Sequence, residues 1–136
     1  MRVVVDTNVF VSAILKDKSL PAMAVRLVER RGYLLKSAAT ELQLFEVLAR
    51  PYLAELIAPA SQAWLKGLMA KAEMVSITER IAASRDATDD KFLELAVNGG
   101  AAVIVSGDAD LLALNPFRDI AIIQPAAFVQ AGIGSL

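Results

Sequence analysis

Residues 2–6 read RVVVD and residues 102–108 read AVIVSGD, and these two stretches decide the fold. Each begins with a short apolar, β-branched run of the kind found in buried strands, and each ends on an aspartate, Asp6 or Asp108. In open parallel sheets, ligands bind at the carboxyl ends of the strands. We therefore expect the two carboxylates to converge at one sheet edge, although about a hundred residues separate them.

Outward from these two stretches, apolar runs alternate with segments of helical periodicity. The pattern predicts strands at 2–5, 33–36, 74–77, 102–106 and 121–123, and helices at about 9–15, 22–31, 39–50, 61–72 and 89–98. Such alternation predicts an α/β fold, a three-layer sandwich in which helices flank a central, mainly parallel sheet. Since 136 residues suffice for one hydrophobic core but not for two, we expect a single domain, 1–136.

The composition excludes several kinds of chemistry. The chain has no histidine and no cysteine, which removes Ser-His-Asp hydrolysis, histidine acid–base catalysis, thiol nucleophiles and thiolate zinc sites. It carries 15 carboxylates and a net charge of −1, so any contact with nucleic acid needs a local basic patch. No apolar stretch approaches the roughly 20 residues of a membrane helix, and an acid interrupts the first apolar run. We expect a cytoplasmic protein without a membrane partner.

A third acid, Asp89, opens the predicted helix at 89–98. Phe92, Leu93 and Ala96 follow it at three, four and seven residues, so Asp89 is predicted to point toward the core and Asp90 to be more exposed. Taken singly, an acid at such a position is explained by helix capping or turn formation. Here, however, three acids lie at the ends of strands and at the start of a helix, and these ends can meet at one edge of a parallel sheet. This placement favours a shared site.

Converging carboxylates repel one another, and this repulsion raises their pKa values. A bound cation removes the conflict. Oxygen ligands without histidine or cysteine suit Mg²⁺ or Mn²⁺ better than zinc, and such ions assist the hydrolysis of phosphodiesters. Asp6, Asp89 and Asp108 are therefore candidate metal ligands.

Four stretches carry a resemblance to a known family: VVVDTNVFVSAIL at 3–15, VLARP at 47–51, RDATDDKFLELA at 85–96 and VSGDADLLAL at 105–114. The chain resembles PIN-domain nucleases, in particular the toxins of toxin–antitoxin pairs related to VapC. Members of that family typically show DTNV, then RDPxD before a helix, then TGDxDLL. The resemblance covers nearly the whole chain.

The resemblance implies roles for individual residues. It implies catalytic metal binding by Asp6, Asp89 and Asp108, and support from Asn8, from Ser106 where the family usually has threonine, and from Asp110 acting through water. The implied activity is the hydrolysis of RNA with Mg²⁺ or Mn²⁺. The resemblance also implies a homodimer and a cognate antitoxin protein as partners.

The chain departs from the family at a fourth acid, which usually lies early in the helix predicted here at 39–50. Counting from VLARP places Gln43 at that position, whereas helical periodicity favours Glu41 as the inward-facing residue. Either Glu41 substitutes for the acid or Gln43 serves as a neutral oxygen ligand. If neither does, the protein is a weakened nuclease.

Candidate phosphate contacts are the basic residues Lys16, Lys18, Arg26, Arg30, Arg31, Arg50 and Arg85. For most of them taken singly, a solvated surface charge is the simpler explanation. With 6% aromatic residues, extensive base stacking is excluded.

Two other functions are compatible with the sequence. In a phosphatase, Asp6 would be a covalent nucleophile, but haloacid-dehalogenase-like enzymes usually carry a second aspartate where this chain has Asn8. In a catalytically weakened PIN-like module, the fold would only bind RNA or protein, and Gln43 in place of an acid supports this second alternative.

Overall fold

The computed structural model describes residues 1–132, so the last four residues of the predicted domain, 1–136, lie outside it. The strands of this part are β1 (Arg2–Val5), β2 (Tyr33–Lys36), β3 (Glu73–Met74), β4 (Val103–Val105) and β5 (Ala121–Ile123). They form one sheet in the order β3-β2-β1-β4-β5, and all the pairings are parallel. The predicted parallel sheet is confirmed, and it is entirely rather than mainly parallel. The third strand, predicted at 74–77, covers only Glu73–Met74.

The helices are α1 (Thr7–Leu15), α2 (Leu20–Arg31), α3 (Ala38–Leu48), α4 (Pro51–Leu56), α5 (Pro59–Lys71), α6 (Asp90–Gly99), α7 (Ala109–Leu112) and α8 (Pro125–Ala131). The short helices α4, α7 and α8 were not predicted, because so few residues show little periodicity. Pro51, Pro59 and Pro125 each occupy a first helical position, where the missing N–H costs nothing. Within residues 1–132 the longest helix has 13 residues, and none has the length and apolarity to cross a bilayer.

Helices cover both faces of the sheet. Alternate residues of β1 point to opposite sides, so Val3 and Val5 join one hydrophobic core while Val4 joins the other. The first core contains buried residues of α1, α2, α3 and α5, and the second contains buried residues of α6 such as Phe92 and Leu93. The predicted three-layer α/β sandwich is therefore confirmed.

The pairing of β1 with β4 positions the two acids that follow these strands. Val5 lies opposite Val105, and the N–H of Asp6 donates to the carbonyl of Val105 at 3.0 Å. Asp6 and Ser106 thus leave the sheet side by side at its carboxyl edge. Parallel pairing brings the two distant ends together, as expected from the sequence.

Candidate functional site

Asp6 caps α1 from the carboxyl end of β1, and it is almost fully buried. One carboxylate oxygen, Oδ2, accepts a hydrogen bond from the hydroxyl of Ser106 at 2.8 Å, and the other accepts from the N–H of Asn8 at 3.4 Å. Burial raises the pKa of Asp6, and the nearby charge of Asp108 adds to that rise, although the hydrogen bonds from Ser106 and Asn8 oppose it. The carboxylate is thus held in one orientation at an energetic cost.

Ser106 connects Asp6 to Asp108. Its hydroxyl is fully buried; it donates to Asp6 and accepts from the N–H of Asp108 at 3.0 Å. Asp108 in turn caps α7, where its Oδ2 accepts from the N–H of Leu111 at 3.0 Å. One hydroxyl therefore fixes the ends of two adjacent strands relative to each other.

Asp89 lies where a 3₁₀ turn, Ala87–Asp89, runs into α6. Its pKa is raised to about 7, mainly by burial and then by the hydrogen bond and charge of Asp108, with smaller contributions from the charges of Asp86 and Asp6. Its Oδ2 atom is buried and has no hydrogen-bond partner. The carboxylate therefore faces the acids that follow β1 and β4, so the structure brings all three predicted acids together.

Two further aspartates lie beside Asp89. One oxygen each of Asp86, Asp89 and Asp110 lie within 4.8 Å of one another. Asp110, expected to act through water, thus lies directly beside Asp89. We call Asp6, Asp86, Asp89, Asp108 and Asp110 the acidic cluster. Asp86 was missed by the sequence analysis, because its side chain caps the 3₁₀ turn by accepting from the N–H and hydroxyl of Thr88, a local role that needs no site. The signal was present in the three aspartates of RDATDD.

The prediction that Asp90 is more exposed than Asp89 was wrong. Asp90 is buried, and its Oδ1 accepts from the N–H groups of Ala83 and Ser84 at 3.1 and 2.8 Å. Helical periodicity identifies the face that meets the sheet. It does not show that the segment 78–86 folds back over another face of α6.

Gln43 and Glu41, the two candidates for the fourth acid, make different contacts. The Oε1 atom of Gln43 accepts from the hydroxyl of Thr7 at 2.8 Å, one residue after Asp6. Glu41 forms an ion pair with Lys36, whose Nζ lies 2.6 Å from Oε2. The contact with Thr7 links Gln43 to the turn that carries Asp6, whereas the carboxylate of Glu41 is neutralised by a lysine.

A groove of about 410 Å³ adjoins the cluster between α1, α7 and the starts of α2 and α8. Asn8, Ser12, Asp108 and Pro125 contribute to its walls. Asn8 is exposed here, so its side chain is open to a ligand while its N–H orients Asp6. Among the predicted phosphate contacts, Arg85 reaches these acids, with Nε 3.9 Å from Oδ1 of Asp110.

The donor set fits a divalent cation. The cluster offers carboxylate oxygens alone, which suits Mg²⁺ and Mn²⁺. Asp89 combines a raised pKa with a buried carboxylate oxygen that has no partner, and a cation would satisfy that oxygen and offset the repulsion among the acids.

A family model described as "PIN domain" matches residues 2–110. The chain belongs to the PIN-domain family. This family consists of nucleases, and the match includes the ends of β1 and β4 and the whole acidic cluster. The family assignment made from the four sequence motifs is confirmed.

Among solved structures, this PIN domain is similar to a chain in the crystal structure of VapBC2 from Rickettsia felis. In that structure VapBC2 is bound to a DNA fragment from its promoter. The two share 13% sequence identity with a TM-score of 0.59, over 90% of this chain and 97% of the other. At that identity the likeness concerns the fold. A search of curated protein sequences gave no match.

Proposed function

We propose that this PIN domain is a Mg²⁺- or Mn²⁺-dependent ribonuclease that hydrolyses RNA phosphodiester bonds. One observation carries the proposal: Asp6, Asp89 and Asp108 converge at the carboxyl edge of the sheet, and Asp89 keeps a buried oxygen without a partner. Such an arrangement is costly without a cation, because burial and mutual repulsion both disfavour the charged carboxylates. A metal-binding role explains why the fold tolerates it.

In this proposal Asp6, Asp89 and Asp108 would hold the ion. Asp86 and Asp110, each with an oxygen within 4.8 Å of an oxygen of Asp89, would add further ligands. The bound ion would supply charge neutralisation and lower the pKa of a water molecule. Ser106 keeps the carboxylate of Asp6 aimed into the site through its 2.8 Å hydrogen bond. Without histidine in the chain, removal of the proton from water falls to these carboxylates and to solvent.

The substrate side of the proposal rests on the groove beside Asp108. Its volume, about 410 Å³, is in the range of small-molecule sites and fits one nucleotide next to the scissile phosphate. The side chain of Arg85 is 91% exposed and stands at the acidic cluster, where it can meet a neighbouring phosphate. Asn8 lies at the boundary between groove and acids, in position to hydrogen-bond the nucleotide.

For the biological setting, we propose the toxin of a toxin–antitoxin pair acting in the cytoplasm. The similarity of fold to a VapBC2 chain and the four sequence motifs support this role. An antitoxin and a second copy of the chain are the proposed protein partners. Exposed apolar side chains that suit such contacts lie on α3 and α4, namely Leu42, Phe45, Tyr52 and Leu56.

The test is cleavage of single-stranded RNA by the purified protein with and without Mn²⁺. We expect cleavage that requires the ion, stops when a chelator is added, and is absent from Asp108→Asn. DNA of the same sequence serves as the substrate control. Cleavage in the presence of chelator, or an Asp108→Asn variant as active as the wild type, would contradict the proposal.

Gln43→Glu should strengthen Mn²⁺ binding. The new carboxylate keeps an acceptor for the hydroxyl of Thr7 and adds a negative charge next to the turn that carries Asp6. We expect Mn²⁺ to bind about tenfold more tightly by calorimetry, an effect of the size seen when groups around metal sites are changed.

The matched control is Glu41→Gln, which removes a charge already paired with Lys36 and should leave Mn²⁺ affinity unchanged. If Glu41→Gln weakens binding while Gln43→Glu has no effect, Glu41 supplies the fourth acid instead. A wild-type protein that binds RNA without cleaving it, and that gains activity on Gln43→Glu, would establish the weakened binding module.

A further inference from the structure

Three polar residues of α6, Asp90, Glu94 and Asn98, form a stripe along one side of the helix. They recur every four residues, the spacing that stacks side chains on one helical face. Asp90 and Glu94 are each only 8% exposed, which is rare for carboxylates. We call these three residues the α6 stripe.

The stripe binds the backbone of an irregular segment. Residues 75–86 contain no helix or strand. After Val75, whose N–H still donates to the carbonyl of Lys36, the N–H groups of the segment lack partners in a helix or sheet. At the far end of the stripe, Oδ1 of Asn98 accepts from the N–H groups of Thr78 and Glu79 at 3.0 and 2.9 Å, and its Nδ2 donates to the carbonyl of Glu79 at 2.9 Å. These contacts anchor the beginning of the segment.

The other two residues continue the same pattern toward the acidic cluster. Oε2 of Glu94 accepts from the N–H of Ile81 at 3.0 Å. One oxygen of Asp90 then accepts from the N–H groups of both Ala83 and Ser84 at 3.1 and 2.8 Å. Ser84 is the last residue whose N–H the stripe binds, and it stands two positions before Asp86.

Asp90 is therefore the contact of the stripe that lies nearest the site. Beyond Ser84, Arg85 and Asp86 extend to the cluster, where an oxygen of Asp86 lies within 4.8 Å of oxygens of Asp89 and Asp110. A carboxylate that accepts two adjacent N–H groups restricts the direction in which the following residues leave. Hydrogen bonds to a charged acceptor are also stronger than those to a neutral one.

We infer that Asp90 is a positioning residue: by holding residues 83 and 84 against α6, it places Asp86 beside Asp89 and Asp110 in the proposed metal centre. This inference rests on the proposed metal-dependent function. It assigns to Asp90 a role that acts through Asp86 rather than by contact with the ion. The rest of the stripe anchors the segment farther away.

A purely structural role for the stripe makes a different prediction. In that case, stability and the response to Mn²⁺ fall together, and the residue with the most hydrogen bonds matters most. Asn98 makes five side-chain hydrogen bonds, whereas Asp90 makes two. A positioning role predicts the opposite order: replacing Asp90 should weaken the response to Mn²⁺ more than replacing Asn98, because Asp90 is the residue of the stripe nearest Asp86.

The test compares Asp90→Ala with Asn98→Ala in the full chain. The readout is the Mn²⁺ concentration that gives half of the maximal thermal shift in the absence of RNA, together with the Mn²⁺ half-saturation of RNA cleavage. We expect Asp90→Ala to raise both concentrations about tenfold, an effect typical of residues that orient metal ligands. Asn98→Ala should lower the melting temperature at least as much while leaving both concentrations within about twofold of the wild type.

Asp90→Asn separates positioning from the loss of a negative charge, because it removes the charge but keeps an oxygen for the two N–H groups. The Mn²⁺ concentrations that Asp90→Asn requires should lie between those of the wild type and those of Asp90→Ala. Equal effects of Asp90→Asn and Asp90→Ala, or equal Mn²⁺ requirements in Asp90→Ala and Asn98→Ala, would overturn the inference. If Asp90→Ala does not fold, Asp90→Asn is compared with Asn98→Ala instead. Asp90→Asn should then require more Mn²⁺ than Asn98→Ala, and equal Mn²⁺ requirements would overturn the inference.

The same measurements separate this inference from the proposed function. A wild-type protein that binds Mn²⁺ but does not cleave RNA contradicts the nuclease proposal alone, and the thermal-shift comparison still tests Asp90. A wild-type protein that shows no Mn²⁺ response contradicts both.

Discussion

Asp6→Asn should reduce RNA cleavage by roughly 100-fold or more while the protein stays folded. The substitution removes the negative charge of the most buried acid in the cluster and hence weakens its hold on a cation. Folding should survive because asparagine caps helices about as well as aspartate. The neutral side chain also avoids the cost of burying a charge, the same cost that raises the pKa of Asp6. This gain in stability offsets part of the loss from a weaker hydrogen bond with Ser106.

The measurement is the initial rate of RNA cleavage in saturating Mn²⁺, with circular dichroism and thermal melting to confirm the fold. The matched control is Asp119→Asn, which changes an exposed aspartate with a φ of 66°, a backbone conformation that asparagine also adopts. This control should cleave at the wild-type rate. Wild-type activity in Asp6→Asn would show that the acid after β1 has no part in the reaction.

Asp89→Asn should stabilise the metal-free protein at pH 8 but not at pH 4. Since the folded state raises the pKa of Asp89 to about 7, it binds this proton more tightly than the unfolded chain. The stability due to the proton is complete below pH 4 and is lost as the pH rises to about 7. A neutral asparagine avoids that loss.

We expect a gain of about 1–2 kcal/mol at pH 8, well below the full linkage value because solvent reaches part of this carboxyl and screens its neighbours. For a chain of this size, the gain corresponds to about 3–8 °C in melting temperature. Thermal melting in the presence of chelator at pH 4, 6 and 8 measures it.

Added Mn²⁺ should reverse the order of stability at pH 8, because the wild type binds the ion and Asp89→Asn binds it poorly. Cleavage by the variant should also be lost. If instead the variant is less stable than the wild type at pH 8 without metal, Asp89 is not held under repulsion, and the electrostatic argument for a metal centre fails.

Local sequence patterns were sufficient to predict the strands and the helix that carry the site. The β-branched runs before Asp6 and Asp108 predicted two strands, and the structure pairs those strands in parallel with both acids at one edge. The helix at 89–98 was predicted within one residue of α6. Asp89, predicted to point toward the core, is half-buried and lies close to the charges of Asp6 and Asp108. The strands and the helix follow from residues close to one another in the sequence, which is the range that periodicity describes. The pairing of β1 with β4 was expected from the general rule that parallel strands collect their carboxyl ends at one edge.

The same patterns failed where a contact joined elements distant in sequence. Asp90 was predicted to be more exposed than Asp89 because α6 was considered alone, whereas the segment before it folds back to cover that side chain. For the fourth acid, helical spacing favoured Glu41 and the count from VLARP favoured Gln43, so the sequence left the choice open. The choice depends on Lys36 at the end of β2 and Thr7 at the start of α1, each of which pairs with one of them.

The sequence by itself therefore determined the α/β layers, the family and the three acids at the element ends, because apolar runs and charges that interrupt them act locally on the chain. Only the tertiary structure decided that Asp86 and Asp110 stand with Asp89, and that Asp90 holds the segment leading to Asp86. The physical reason is that residues 75–86 have no periodic structure of their own. Their path is set by hydrogen bonds to α6, which no spacing within the segment encodes.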